Sequence, residues 1–199
     1  MPETRRHAPH LDPRAPLVLD TRELARRPGT QRQVDFDAPA PADIGTPLIG
    51  VAAGAPMTLA LRLESVMEGV LVSGTATVAL VGECGRCLDP VASTLDVDLL
   101  ELYAYAESDA TEDEASRLDG DFLDLEPVVR DAVVLALPLT PLCNDDCPGL
   151  CVTCGARLAD VAAGHSHDVV DPRWDALRNL AGALPDDGDG HSMQPREQE

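Results

Sequence analysis

The six cysteines of the chain occur as three closely spaced pairs, and this spacing constrains the fold more than any other feature of the sequence. The pairs are Cys84 and Cys87, with two residues between them, Cys143 and Cys147, with three, and Cys151 and Cys154, with two. A short turn of this kind directs two thiolates at one ion, and structural zinc takes four such ligands in a tetrahedron. Two pairs from distant parts of the chain therefore complete a site and tie those parts together.

Six cysteines do not divide into four-ligand sites without further donors. Imidazole is the other common zinc ligand, and two histidines, His165 and His167, follow Cys154 closely. One partition pairs the first two motifs, Cys84, Cys87, Cys143 and Cys147, and leaves a second site of Cys151, Cys154, His165 and His167. A competing partition joins Cys84 and Cys87 to Cys151 and Cys154 and leaves Cys143 and Cys147 supporting or free. The sequence leaves both open and predicts one or two structural Zn²⁺ ions. Gly85, Gly149 and Gly155 are expected to serve the tight turns of these motifs.

The N-terminal region predicts a cytoplasmic protein. Met1–His10 carries Arg and Pro, and no apolar segment of a secretory signal follows it. No stretch of about 18 apolar residues is available for a membrane span. In a reducing cytosol, clustered cysteines are more often metal ligands than disulfides, so metal is favoured over disulfides or buried structural thiols.

Catalytic chemistry has little support in the sequence. A C-x-x-C pair performs dithiol redox chemistry when it opens a helix, and neither pair here does so within a βαβ pattern. The chain has no H-E-x-x-H, no G-x-S-x-G and no phosphate-binding loop. A cysteine-rich ligand set indicates closed metal sites, whereas a catalytic zinc needs an open position. We therefore expect a protein that is not an enzyme.

The charge is strongly one-sided, with 35 acidic residues, 15 basic residues and a net charge of −20. Phosphate repels such a chain, so the balance disfavours non-specific nucleic-acid binding and favours basic partners. Only 3% of the residues are aromatic. The core is therefore expected to consist mainly of Val, Leu and Ala, and a metal clip helps to stabilise a core of this kind.

Hydrophobic periodicity predicts an α+β fold. Three long runs, at 57–66, 70–81 and 90–105, alternate or are rich in β-formers, which predicts an antiparallel meander or partial barrel with the Cys84 pair at one hairpin tip. Shorter strands are expected at 16–20, 33–37 and 122–125, the second at an edge. Two short helices are expected, one opened by Glu126 and Pro127 and one over 171–180. Together with the cysteines these elements predict a zinc-ribbon-like cluster.

Composition divides the chain into one domain with two tails. Residues 1–14 are predicted to be a disordered arm, 15–184 a single domain and 185–199 a disordered tail. Within the domain the cysteines lie at 84–87 and 143–154. Residues 106–121 are rich in acids and predict a solvated acidic loop, more simply a spacer than a binding element.

Several of these segments resemble the YceD family, bacterial and plastid proteins named for large ribosomal RNA subunit accumulation. The similar segments are Leu17–Leu24, Arg26–Gly29, Glu83–Pro90, Leu137–Gly155 and Asp171–Leu177, and together they span roughly residues 16–183. Many relatives carry a further Cys pair where this chain has His165 and His167, and some lack the Cys151 pair. That comparison favours Cys84, Cys87, Cys143 and Cys147 as the more general site.

The resemblance implies a non-enzymatic role in accumulation of 23S ribosomal RNA and assembly of the large subunit. The family's gene often lies beside that of ribosomal protein L32, so L32 or a large-subunit precursor is the implied partner. An acidic carrier of such a basic protein is compatible with the net charge.

Direct binding of ribosomal RNA is the alternative. Seven of the fifteen arginines lie within residues 1–32. Arg22, Arg26 and Arg27 are the candidate contacts in this basic arm. The simpler interpretation is ordinary surface charge beside a disordered terminus. The RNA position, the assembly step, the oligomeric state and the metal stoichiometry do not follow from the sequence.

Overall fold

The computed structural model describes residues 11–109, 111, 115–167 and 173. The chain divides into two compact units, residues 1–149 and 150–199. The predicted arm of residues 1–14 and the second predicted helix, over 171–180, fall largely outside the described residues, and the tail of 185–199 falls wholly outside them. The bounds of a single domain over 15–184 remain a prediction.

The first unit is built on an antiparallel sheet. Its strands are β2 (Gln31–Pro39), β3 (Ile44–Gly45), β4 (Ile49–Val51), β5 (Pro56–Ser65), β6 (Gly69–Glu83), β7 (Pro90–Ala104) and β8 (Ser116–Arg117). The order is β2-β5-β6-β4-β3, and β7 pairs with the other edge of β6 and, at its end, with β8. Among the described strands this path does not close on itself.

The alternation that predicted the meander has a direct structural counterpart in β5. Met57, Leu59 and Leu61 point to the core and are at most 3% exposed, while Thr58 and Ala60 between them are exposed. Successive strand residues face opposite sides of a sheet, so every second residue is available to the core. The prediction of an antiparallel sheet in an α+β fold is confirmed.

The β6–β7 hairpin carries the cysteine pair to the end of the sheet. Its fifteen residue pairs run without a break from Gly69 opposite Ala104 to Glu83 opposite Pro90. The connection from Cys84 to Asp89 is therefore the hairpin tip, as the sequence predicted.

A second, two-stranded sheet and one α-helix cover the core. Strand β1 (Val18–Asp20) pairs antiparallel with β9 (Phe122–Asp124), and helix α1 (Glu126–Ala136) follows. Pro127 occupies the first turn of α1, where its missing N–H costs nothing. Val129 and Val133 of α1 are fully buried. A short 3-10 helix (Arg22–Leu24) follows β1 and buries Leu24.

The acidic loop predicted over 106–121 is more ordered at its end than the sequence indicated. Ala115 is buried, and Ser116–Arg117 forms β8, which pairs parallel with Tyr103 and Ala104. Leu118 packs against the core. The few apolar residues of this acidic segment pack it against the sheet. Its overall composition, which is mainly acidic, did not indicate this packing.

The described part of the second unit, residues 150–167, has no buried residue. Its backbone is held by turns, in which the Cys151 N–H donates to the Ala156 carbonyl at 2.8 Å and the Gly155 N–H to the Cys151 carbonyl at 2.8 Å. A lone bridge pairs Leu150 with Arg157. Within the described part of the chain, no helix is long and apolar enough to cross a membrane.

Candidate metal centres

The first unit brings four sulfurs together at the tip of the β6–β7 hairpin. Cys84 and Cys87 come from the tip, and Cys143 and Cys147 come from the segment after α1. The Sγ atoms of Cys84 and Cys147 lie 3.8 Å apart, and those of Cys87 and Cys143 lie 3.6 Å apart. All four lie within 4.8 Å of one another. A tetrahedral zinc with Zn–S bonds of about 2.3 Å has S···S edges of about 3.8 Å, so the four residues fit that ion.

Backbone hydrogen bonds fix the first pair against the second segment. The Gly85 N–H donates to the Pro141 carbonyl at 2.8 Å, and the Leu88 N–H closes the turn onto the Cys84 carbonyl at 2.9 Å. The Arg86 N–H points at the Cys84 sulfur at 3.5 Å. The left-handed residue of this turn is Leu88, with φ of 64°, and not Gly85, which differs from the expectation that glycines serve every turn. A Cβ at Gly85 would instead lie 3.2 Å from the Thr140 methyl group, so close packing explains that glycine.

Arg86 and Gly149 hold the second pair in place, and sequence reasoning gave no role to Arg86. The Arg86 guanidinium donates to the Cys147 carbonyl at 3.0 Å and lies 3.5 Å from the Asp145 carbonyl. Gly149 has φ of 80°, and a Cβ there would lie 3.2 Å from the Arg86 carbonyl oxygen. These contacts pack the two cysteine segments against each other beside the four sulfurs. The position of Arg86 inside the C-x-x-C turn was the available signal.

The thiols of this site oppose one another's ionisation. Backbone N–H groups, that of Cys87 first and then those of Arg86 and Cys143, lower the pKa of Cys84 to about 6 against an opposing effect of desolvation. Desolvation, followed by the hydrogen bond with Cys84, raises the pKa of Cys87 to about 12. The Cys84 thiolate therefore forms readily, while desolvation and hydrogen bonds with the neighbouring sulfurs keep the pKa of Cys87 high. A divalent cation removes that conflict, since it stabilises every thiolate it touches.

The second unit brings together Cys151, Cys154, His165 and His167. The Cys154 sulfur lies 3.4 Å from His165 Nε2 and 3.2 Å from His167 Nε2, and the two Nε2 atoms lie 3.0 Å apart. All four donor atoms lie within 4.8 Å of one another. Two thiolates and two imidazoles form a common structural zinc ligand set. Because Zn–N bonds, at about 2.0 Å, are shorter than Zn–S bonds, two nitrogen ligands lie closer to each other than two sulfur ligands do.

The electrostatics of this second group also suit a cation. The backbone N–H groups of Cys154 and Thr153 lower the pKa of Cys151 to about 6, against an opposing effect of desolvation. Cys154 and His167 are exposed, while Cys151 and His165 are half-buried. The structure thus gathers the eight predicted ligand residues as two separate groups of four.

Of the three arginines predicted to contact RNA, Arg22 and Arg26 lie beside carboxylates. Arg22 forms an ion pair with Asp20 and lies over the Phe122 ring. Arg26 lies 3.6 Å from Glu107 and 4.8 Å from the centre of the Tyr105 ring. The exposed Arg27 forms no ion pair or side-chain hydrogen bond within the described part of the chain. Two of the three candidates therefore already have a carboxylate partner at the surface.

The fold and the paired sites define a sheet protein with cysteine-rich centres that could hold metal. The family model described as "Large ribosomal RNA subunit accumulation protein YceD" matches residues 72–181. An uncharacterized protein of Mycobacterium tuberculosis is 46% identical over 176 residues, which cover 86% of this chain and 84% of the relative. An uncharacterized protein of Mycobacterium leprae is 42% identical over 170 residues, 83% of this chain and 78% of the relative. No solved structure matches.

The chain belongs to the YceD family. The matched range contains all six cysteines and both histidines of the two candidate centres. Family membership suggests a role in ribosomal RNA accumulation.

Proposed function

We propose that this protein is a non-enzymatic ribosome-biogenesis factor that cells need for accumulation of 23S ribosomal RNA and assembly of the large subunit. The observation that carries the proposal is the family match over residues 72–181. The protein acts in the cytoplasm, where large-subunit precursors assemble.

Two structural zinc ions belong to this proposal. The first is held by Cys84, Cys87, Cys143 and Cys147, and the second by Cys151, Cys154, His165 and His167. Four protein ligands fill the preferred coordination of zinc, which leaves no position for a substrate or a reactive water. The ions therefore stabilise a zinc-ribbon-like arrangement and perform no chemistry.

A carrier of a basic ribosomal protein, such as L32, is the version of this function that the charge supports best. The net charge is −20, and an acidic protein keeps a basic one away from stray RNA until assembly. The ion pairs of Arg22 and Arg26 favour this version over direct RNA binding. An RNA surface needs cations that are free to contact phosphate.

The test of the function is a deletion strain. Loss of the protein should lower the ratio of 23S to 16S ribosomal RNA and cause precursors of the large subunit to accumulate in sucrose gradients. The wild-type chain should restore both. A normal ratio and normal gradients in the deletion strain would overturn the proposal.

Metal analysis of the purified chain tests the ligand assignment. Two zinc ions per chain are expected, falling to one in Cys147→Ser and to one in Cys151→Ser. One ion in the wild-type chain, lost equally in both variants, would instead support a single mixed site.

A further inference from the structure

Among the strands that the structure describes, none pairs with one long edge of the main sheet along most of its length. Strand β7 pairs with β6 through fifteen residues, and its other edge pairs with β8 at Tyr103 and Ala104. Within residues 11–109, 111, 115–167 and 173, no strand pairs with that edge between Pro90 and Leu102. The exposed N–H and C=O groups of such an edge are a template for another strand.

A groove lies beside this edge and defines where an added strand would run. It has a volume of about 240 Å³ and lies between β7, β8 and helix α1. Residues of both faces of β7 line it, as do Ser116 of β8 and Val128 of α1. A strand added there would extend the sheet in line with β8.

The groove is apolar at its centre and negative on both sides. Leu100 is 71% exposed and Val128 is half-buried, so an apolar side chain of the added strand could pack against them. Asp98 of β7 and Asp131 of α1 line the groove, and both side chains are exposed. Neither carboxylate forms an ion pair within the described part of the chain. A strand that complements this groove would therefore carry positively charged side chains on both of its faces.

A second copy of this chain is a poorer occupant than a basic segment, because its own β7 edge would bring Asp96 and Asp98 to a groove that is already acidic. In the antiparallel register centred on Val97, Asp96 of one copy would lie directly opposite Asp98 of the other. Like charges directly opposite destabilise a strand pair, and acidic residues on an edge are a common protection against self-association. Nucleic acid is disfavoured for the same reason, because its phosphates would face the same carboxylates.

We propose that the β7 edge from Asp96 to Glu101 binds an extended, basic segment of a partner protein by β-augmentation. Main-chain hydrogen bonds to the edge supply affinity, and lysine or arginine side chains beside Asp98 and Asp131 supply specificity. The proposal rests on the proposed function, since it names the surface with which an acidic assembly factor would hold a basic protein.

The test uses the full-length, zinc-loaded chain and a labelled peptide in which pairs of lysines alternate with pairs of valines, so that both faces of the extended peptide carry charge. Fluorescence anisotropy measures its binding, and the same peptide with glutamate in place of lysine is the control. The lysine peptide should bind, and its affinity should fall as salt rises. Equal binding of the glutamate peptide would overturn the proposal.

Two double variants that change the net charge by the same amount test where the peptide binds. Asp98→Lys/Asp131→Lys should weaken binding at least about tenfold, because it reverses both sides of the groove. Asp35→Lys/Asp37→Lys changes exposed carboxylates on β2, an edge strand of the sheet away from β7 among the described strands, and should have a much smaller effect. Equal losses in the two variants would show general attraction to an acidic protein and would overturn the assignment. Unchanged zinc content and circular dichroism confirm that both variants fold.

Amide hydrogen exchange separates strand addition from surface attraction. The peptide should slow exchange of alternate β7 amides between Asp96 and Glu101, those that point away from β6, by about tenfold or more. Binding without protection of these amides would exclude β-augmentation. Failure of these assays together with loss of 23S ribosomal RNA in the deletion strain removes only this inference. A deletion strain with normal 23S ribosomal RNA removes the proposed function, whatever the peptide does.

Discussion

The two candidate metal centres have the same number of ligands but lie in very different surroundings. In the first unit, Cys84 and Cys147 are buried at 0% and 3% exposure, at the end of a sheet with its own core of Leu, Val and Met. In the second unit, the described residues include none that is buried. If both groups bind metal as proposed, each ion contributes folding free energy to its unit, and residues 150–167 offer no buried side chain beside it. The comparison indicates that equal ligand numbers do not mean equal structural roles. The first ion would join two segments at the end of a folded sheet, and the second would be the main constraint on residues 150–167.

The largest effect is expected from removing the second ligand set. Cys151→Ser should abolish ordered structure in residues 150–167, because zinc binding to small metal domains supplies roughly 10 kcal/mol and none of these residues is buried to substitute for it. Amide exchange over 150–167 should rise to the rate of an unfolded peptide. The amides of β5 and β6 should keep their protection. Retained protection over 150–167 in this variant would show that the unit has another source of stability.

Removing a ligand of the first site should cost less structure, because the first unit keeps its hydrophobic core. Cys147→Ser removes a buried ligand and should lower the stability of the first unit by about 4 kcal/mol, since loss of a metal is among the most damaging single changes. The antiparallel sheet should nevertheless persist below the lowered melting temperature, as seen by circular dichroism. Complete unfolding at 25 °C would mean that this ion, too, is indispensable for its unit.

Glycine substitutions sharpen the comparison at the level of the backbone. Gly149→Ala should cost about 2 kcal/mol and weaken zinc retention, because it combines a left-handed φ of 80° with a Cβ only 3.2 Å from the Arg86 carbonyl. Gly155→Ala is the matched change in the second unit, where φ is 70° and no atom lies within 4 Å of the added Cβ. It should cost about 1 kcal/mol, from backbone strain alone. The rate of zinc release to a chromogenic chelator is measured for each variant and compared with the wild-type chain. Equal increases in the two variants would contradict the steric role assigned to Gly149.

The smallest expected effect is a gain in stability. Leu88 holds a φ of 64° in the first cysteine turn and is 57% exposed, so its side chain gains little by burial. Leu88→Gly should raise the free energy of unfolding of the first unit by about 0.5–1 kcal/mol through relieved strain, and with it the melting temperature slightly. A loss of stability would indicate that the Leu88 side chain makes contacts that its exposure conceals.

Periodicity and spacing allowed much of this architecture to be predicted. The alternation in β5 and the β-rich runs of β6 and β7 indicated an antiparallel meander, since side-chain direction in a strand depends only on position along it. Pro127 and the apolar spacing after it indicated α1. The C-x-x-C turns indicated paired thiolates, because two residues between ligands close a turn locally. These features depend on neighbours in sequence, and the residues themselves determine them.

Tertiary structure decided what depends on residues far apart. Which cysteine pair meets which was open in the sequence, and the hairpin brings Cys84 beside Cys147, 63 positions away. The basic character of Arg26 was plain from the sequence, but the carboxylate of Glu107, far along the chain, comes to lie beside it only through folding. The order of the described strands likewise leaves one edge of β7 largely unpaired, and this order cannot be predicted from the local sequence pattern. Contacts between distant segments depend on how the whole chain packs, and a residue's own neighbours in sequence carry almost no information about that packing.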